Sequence, residues 1–222
     1  MPSRLPEDDF ESRVHTGFFE GFKSVREQIS SGIEEARQRL GEQGQGAPVY
    51  FTGHSLGGAL AMIATRELAF DSCGACYTFG APRAADYNYF WRMKTPHYRV
   101  VNSSDMVPRV PPGAEIVLLD TLLRGIGYFT KHVPVAREGV DMRGLVDRLH
   151  HYRHAGDQRY LTDVAAVASG WRRAYWRNPS VIDRTQWLWR HLSVSGLGTP
   201  IKSHSVKIYR RKLAAIARAR LT

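Results

Sequence analysis

Three residue types able to do nucleophilic chemistry stand out by spacing. Gly53-His54-Ser55-Leu56-Gly57 is a G-x-S-x-G run. The short β-prone stretch Val49-Tyr50-Phe51 feeds it, and the helix-forming stretch Leu60 through Leu68 follows. Strand, sharp turn and helix in that order hold a serine hydroxyl exposed on a strained turn, a nucleophile elbow. Glycine is expected on either side of the serine because strand and helix pass almost in contact there, and Gly58 extends that requirement. The first amides of the helix point back at the serine, so the Leu56 N–H is a candidate oxyanion donor. His54, inside the elbow, is expected to point away from the serine's chemistry and to serve packing or hydrogen bonding.

A serine hydroxyl is a poor nucleophile at neutral pH and needs a base in hydrogen-bond reach, itself oriented by a carboxylate. On this kind of scaffold the order along the chain is serine, acid, histidine, with the acid in a loop after a strand beyond the elbow. Asp105 follows the strand-like run His97–Asn102 and precedes a proline-rich loop, which favours it over Asp120, Asp141 and Asp157. A turn-making aspartate beside Ser103 and Ser104 is compatible with the same position. Six histidines come later: His132, His150, His151, His154, His191 and His204. Position in the chain selects His204, at the start of the last helix, with His154 next.

The elements that must position these residues are legible as alternating strands and helices. Phe18, Phe22, Val25, Ile29, Ile33, Ala36 and Leu40 recur at steps of three and four, which predicts one long amphipathic helix packed on a sheet. Gly41 to Pro48 ends it and delivers the chain to the elbow strand. Strands are expected near Ala75–Phe79, His97–Asn102 and Glu115–Leu119, with a short helix near Tyr87–Met93. Further on come a helix near Met142–His150, an edge strand at Arg159-Tyr160-Leu161, a helix beginning at Val164–Val167 and a short helix around Trp187-Leu188-Trp189. The last helix places Val206, Tyr209, Leu213 and Ile216 on one face. Such alternation implies a mostly parallel sheet covered on both faces.

The runs GHSLGGALA, Tyr77–Arg83 (YTFGAPR) and Arg99–Pro112 (RVVNSSDMVPRVPP) together resemble the class 3 lipases, the fungal-lipase-like branch of the α/β-hydrolases. Val14-His15-Thr16-Gly17-Phe18 is similar to the segment ahead of the elbow unit in that family. From about Val14 to Pro112 the likeness is close; beyond, it rests on Tyr152-Arg153-His154-Ala155-Gly156 and Ser203-His204-Ser205. The resemblance implies an α/β-hydrolase fold in one domain over residues 1–222, shortened at the N-terminus. It implies Ser55, Asp105 and His204 as nucleophile, acid and base, a lipid ester as substrate, and no metal or organic cofactor. It also gives His154 a structural role. In that family an Arg-Gly-Thr or Arg-Gly-Ser element before the long helix supplies a second oxyanion donor, and Met1 to Gly17 contains no such element or strand-like run. Two function classes therefore stand side by side: a serine esterase or lipase, and a catalytically impaired relative that binds lipid or a membrane surface.

Composition bounds the rest. With 222 residues, 43% hydrophobic and 23% charged, the chain has the makeup of a globular domain with a sizeable core. No apolar run reaches the roughly 18 residues needed to span a bilayer, and the N-terminus has no signal-peptide core. This points to a cytoplasmic or peripheral membrane location. Cys73 and Cys76 form a lone C-x-x-C without a second pair, read as a loop thiol and a buried strand thiol. The formal charge is +10, and from Trp171 onward twelve basic residues face one acid, Asp183. Trp171, Trp176, Trp187 and Trp189 share that region. Basic and aromatic side chains together suit an anionic membrane surface, while a solvated basic face with inward tryptophans is the plain alternative. No nucleic-acid motif accompanies the charge.

Overall fold

The computed structural model describes residues 12–109, 152–163, 167, 170–187 and 203–221. Its elements in chain order are α1 (Thr16–Lys23), α2 (Arg26–Arg39), β1 (Tyr50–His54), α3 (Leu56–Leu68), β2 (Ala75–Phe79), β3 (Ala85–Asp86), α4 (Tyr87–Phe90), β4 (His97–Asn102), β5 (Tyr152–Arg153), β6 (Asp157–Leu161), α5 (Trp171–Ala174), β7 (Tyr175–Arg177) and α6 (Val206–Leu221). The main sheet runs β1-β2-β4-β6-β7. Its first three pairings are parallel, and β7 closes it antiparallel to β6. A second, two-stranded ladder joins β3 to β5.

Strand alternation sorts the side chains into two layers. On one face Cys76, with α1 and α3, builds a core from Phe18, Phe22, Met62 and Ile63. On the other, Val100 and Leu161 pack against Tyr209 and Ile216 of α6. Helices thus cover both faces, as the alternating pattern implies. Small residues in α3 make its close approach possible. A Cβ on Gly53 would lie 2.1 Å from the Gly57 carbonyl oxygen, and one on Gly58 would lie 2.7 Å from Ala81 Cβ. Gly57 itself has no atom within 4 Å of its Cβ position, so the crowded residue after the serine is Gly58 and not Gly57.

Several sequence expectations need correction. The long helix is two, broken at Ser24–Val25, and α2 has no buried residue, so only α1 packs on the core. Helical periodicity continues across the break because two collinear patterns look alike in sequence. Arg159–Leu161 belongs to a longer strand that lies between β4 and β7 and is not an edge. Within α6, Tyr209 and Ile216 are buried but Val206, the first residue of the helix, is 53% exposed. Val14, in the segment expected to hold no strand, bridges Ala85 and is fully buried. Strands β2 and β4 have the bounds expected from sequence, and α4 covers the first part of the stretch expected to be helical. Residues 181–187 are helical, including Trp187, whereas Trp189 lies outside the described residues. So do Glu115–Leu119, Met142–His150 and most of Val164–Val167.

Cys73 is exposed and Cys76 buried, with burial pushing the Cys76 thiol up to about 11. Trp171 packs against the core under α6, and the Trp176 ring lies over Tyr160. These two tryptophans therefore face protein, as in the plain reading of the tail. Among the described residues no helix is long and apolar enough to cross a membrane.

Candidate active site

Ser55 joins β1 to α3 with φ 55° and ψ −127°, a left-side conformation costly for any residue but glycine. Its N–H donates to the Phe79 carbonyl at 3.0 Å, and its carbonyl accepts from the Gly58 N–H at 2.9 Å. The turn is thereby pinned to the end of β2 on one side and to α3 on the other. Such pinning is what keeps a strained serine from relaxing. The Leu56 N–H, the first amide of α3, donates to no acceptor among the described residues.

Asp105 and His204, 99 positions apart, meet through His204 Nδ1 and Asp105 Oδ2 at 2.9 Å. The carboxylate is completely buried and the histidine nearly so. The tight turn after β4 gives Asp105 its place: its own N–H donates to the Asn102 carbonyl, and Oδ1 accepts from the Val107 N–H at 2.9 Å. On Oδ2 the Tyr209 hydroxyl adds a second donor at 2.6 Å. His154 fixes the loop beyond, donating from Nε2 to the Pro108 carbonyl at 2.6 Å, and Arg109 bonds both the Ser103 carbonyl and the Tyr160 hydroxyl. His154 thus makes a structural contact in the acid loop, away from the His204 position. Its burial, with Arg99 nearby, holds it well below the usual histidine range.

His204 sits two residues ahead of α6, on a turn gripped by its backbone. The Ser203 carbonyl accepts from Asn102 Nδ2 at 2.8 Å, and the His204 carbonyl accepts from His54 Nε2 at 2.6 Å. The His54 and His204 rings lie 4.6 Å apart. His54 is therefore a hydrogen-bonding residue as expected, but it points toward His204 and not away from it. Burial, then the neighbouring His204, lowers the His54 pKa below its ordinary value. Alternation along β1 is the signal that locates it: His54 pairs with Phe79 and shares the face on which α6 packs.

Ser55 comes to this pair through its neighbours. It follows His54 directly and hangs from Phe79, whose next residue, Gly80, has φ +59° and lies against Asp105 and His204. A Cβ on Gly80 would sit 2.6 Å from Asp105 Oδ2 and 3.1 Å from His204 Cε1. His204 Nε2 is buried without a hydrogen-bond partner, so the serine hydroxyl does not bond it in this state. Catalytic hydrogen bonds often close only when substrate is bound. Tyr209, which bonds both Asp105 and Asn102, is the residue at this site that the order of motifs did not assign a role; its position five residues after His204 on the buried face of α6 is the signal for it. No cluster of three or more metal-ligating side chains occurs among the described residues.

A serine on a strand-to-helix elbow at the ends of parallel strands, with helices on both faces of the sheet, defines the α/β-hydrolase architecture. A solved triacylglycerol lipase with a serine-protease-type triad as its catalytic centre has this fold. It matches at a TM-score of 0.51 with 24% identity, over 74% of this chain and 51% of that one. The family model for lipase (class 3) matches residues 2–115, and the chain belongs to that family. Secreted mono- and diacylglycerol lipase 1 of Fusarium solani is 35% identical over 106 residues, 45% of this chain and 30% of the relative. A lipase of Rhizomucor miehei is 33% identical over 113 residues, 46% of this chain and 30% of the relative. The chain thus spans 30% of the length of these two curated relatives.

Proposed function

We propose that the chain hydrolyses carboxylic esters of lipids through an acyl-serine intermediate, as a triacylglycerol lipase or esterase. The observation that carries this reading is the buried Asp105–His204 hydrogen bond of 2.9 Å beside the elbow serine. Because Asp105 accepts at Nδ1, the neutral His204 ring carries its proton there and leaves Nε2 free as a base. Nε2 takes the Ser55 hydroxyl proton as Oγ attacks the ester carbonyl, and returns it to the departing alcohol. Water then attacks the acyl-serine by the same route, releasing the acid and restoring Ser55. The Leu56 N–H donates to the oxyanion in both steps. Asp105 keeps the ring oriented and stabilises its charged form, with Tyr209 and Val107 holding the carboxylate still. This chemistry calls for no metal or organic cofactor. The lipid-ester substrate is supported by the relatives, named as lipases of acylglycerols.

The test is fluorophosphonate labelling of the parent, Ser55→Ala and His204→Ala proteins, with hydrolysis of short- and long-chain p-nitrophenyl esters alongside. Labelling and turnover lost in both variants are expected. A Ser55→Ala protein that turns over esters at the parent's rate refutes the proposal. A folded parent that neither labels nor turns over supports the second reading, a lipase-like protein that binds lipid without cleaving it. The unpartnered His204 Nε2 is the observation that favours this alternative.

Peripheral contact with an anionic membrane belongs to the same proposal. Helix α6 contains no acidic residue, and Lys207, Arg210, Arg211 and Arg218 all lie exposed on it. Each such cation near an anionic leaflet contributes about 1 kcal/mol. Binding to phosphatidylserine vesicles but not to phosphatidylcholine vesicles is expected, lost when the four are changed to Glu; equal binding to both lipids refutes it.

A further inference from the structure

Asn102, the last residue of β4, is 1% exposed; its carbonyl accepts from the Asp105 N–H, and its N–H and both side-chain polar atoms are used on residues 203–212, the segment that carries His204. Its side-chain Nδ2 donates to the Ser203 carbonyl at 2.8 Å, and its backbone N–H donates to the Tyr209 hydroxyl at 3.0 Å. That hydroxyl in turn donates a hydrogen bond to Asp105 Oδ2 at 2.6 Å. The side-chain Oδ1 accepts from Lys212 Nζ at 2.7 Å, and the same ammonium also bonds the Thr162 carbonyl just after β6.

The two partners leave the amide only one orientation. A carbonyl can only accept and an ammonium can only donate, so Nδ2 must face Ser203 and Oδ1 must face Lys212. Sheet alternation explains why Asn102 can do this: it shares a face with Tyr98 and Val100, the face covered by α6. The backbone around the base histidine is then held at two successive carbonyls from two different strands. Asn102 of β4 grips Ser203, and His54 of β1 grips His204. Asp105 fixes the ring from the third side.

We infer that Asn102 is a positioning residue for His204, kept in its working orientation by Lys212. Resting on the esterase reading above, the inference adds that the base's aim depends on a clamp outside the triad. Loss of the Nδ2 donor strands a partly buried carbonyl and frees the 203–205 turn to shift. A displacement of about 1 Å at a reacting group costs on the order of a hundredfold in rate.

Asn102→Asp is the decisive variant, since it keeps the volume and the bond to Lys212 but presents an acceptor to the Ser203 carbonyl. Its kcat on a p-nitrophenyl ester is expected to fall about 10- to 100-fold with KM within about twofold. Asn102→Ala is expected to do the same, and Lys212→Met to lose about 3- to 10-fold. Because Lys212 acts through Asn102, the Asn102→Ala/Lys212→Met pair should be no slower than Asn102→Ala alone. Parental kcat in Asn102→Asp, or losses that multiply in the pair, overturn the inference. A second readout needs no turnover: the proton NMR signal of the His204 Nδ1–H shared with Asp105, sharp in the parent and broadened in Asn102→Asp. If the parent has no esterase activity, the functional reading falls while this signal still decides the clamp, and an unchanged signal in Asn102→Asp overturns it.

Discussion

Gly80→Ala puts one methyl group where Asp105, Tyr209 and His204 converge. Its Cβ would meet Asp105 Oδ2 at 2.6 Å, the Tyr209 hydroxyl at 2.9 Å and His204 Cε1 at 3.1 Å. Ordinary contact begins at 3.4 Å, so the carboxylate has to retreat by roughly 0.8 Å. It has nowhere to go without breaking a bond, since Asp105 is 0% and Tyr209 1% exposed and both are hydrogen-bonded. Alanine at φ +59° adds about 1 kcal/mol of backbone strain. With about 1–3 kcal/mol for overpacking, the variant is expected to lose about 2–4 kcal/mol of stability, or about 5–15 °C in Tm. On the proposed triad, a shift approaching 1 Å in Asp105 beside His204 should slow fluorophosphonate labelling about a hundredfold, measured well below the variant's Tm. Gly57→Ala is the matched control for stability, because its Cβ meets nothing within 4 Å and it lies in a helix. It should be neutral or stabilising by up to about 1 kcal/mol. A Gly80→Ala protein with the parent's Tm and labelling rate would refute the packing described for the site.

Other expectations follow from single contacts. Tyr209→Phe leaves the buried Asn102 N–H without an acceptor and takes a 2.6 Å donor from Asp105, so it should cost about 2–4 kcal/mol in urea denaturation and slow acylation. Arg99 sits largely buried beside the neutral Gln158 on β6, its Nε unpartnered, and burial together with Arg184 and Arg83 pulls it down to about 10. Gln158→Glu supplies a carboxylate next to it and should raise the urea midpoint, by an amount equivalent to about 1–2 kcal/mol; a lower midpoint at pH 7 would count against this account of the cluster. His97 is buried to the point that its pKa drops to about 3 from 6.5. The native state then binds fewer protons than the unfolded chain between those values, so stability is complete above pH 6.5 and is lost as pH falls toward 3. One such histidine costs about 2 kcal/mol by pH 5, a slope that His97→Gln should remove from a series of urea midpoints taken between pH 7 and 5.

The sequence by itself determined the local pieces. A G-x-S-x-G run between a β-prone stretch and a helix can be read without a structure, because the glycines answer to contacts within a few residues. Gly53 faces the carbonyl of Gly57, four positions away. Strands Ala75–Phe79 and His97–Asn102 were legible for the same reason, being short runs rich in β-branched and aromatic residues bounded by turn residues. Chain order then singled out Asp105 and His204, but order carries no distance. Tertiary structure alone decided what surrounds them. Whether Arg159–Leu161 is an edge depends on the strand that pairs its other side, and β7 comes 14 residues later. The division of Phe18–Leu40 into a packed and an unpacked helix depends on where the sheet ends, which periodicity does not record. His54, Asn102, Tyr209 and Lys212 lie up to 158 positions apart and converge only because parallel register brings the ends of β1, β2 and β4 level under α6. Helix and strand periods fix which face a side chain takes; register and layer packing fix which side chains meet across that face.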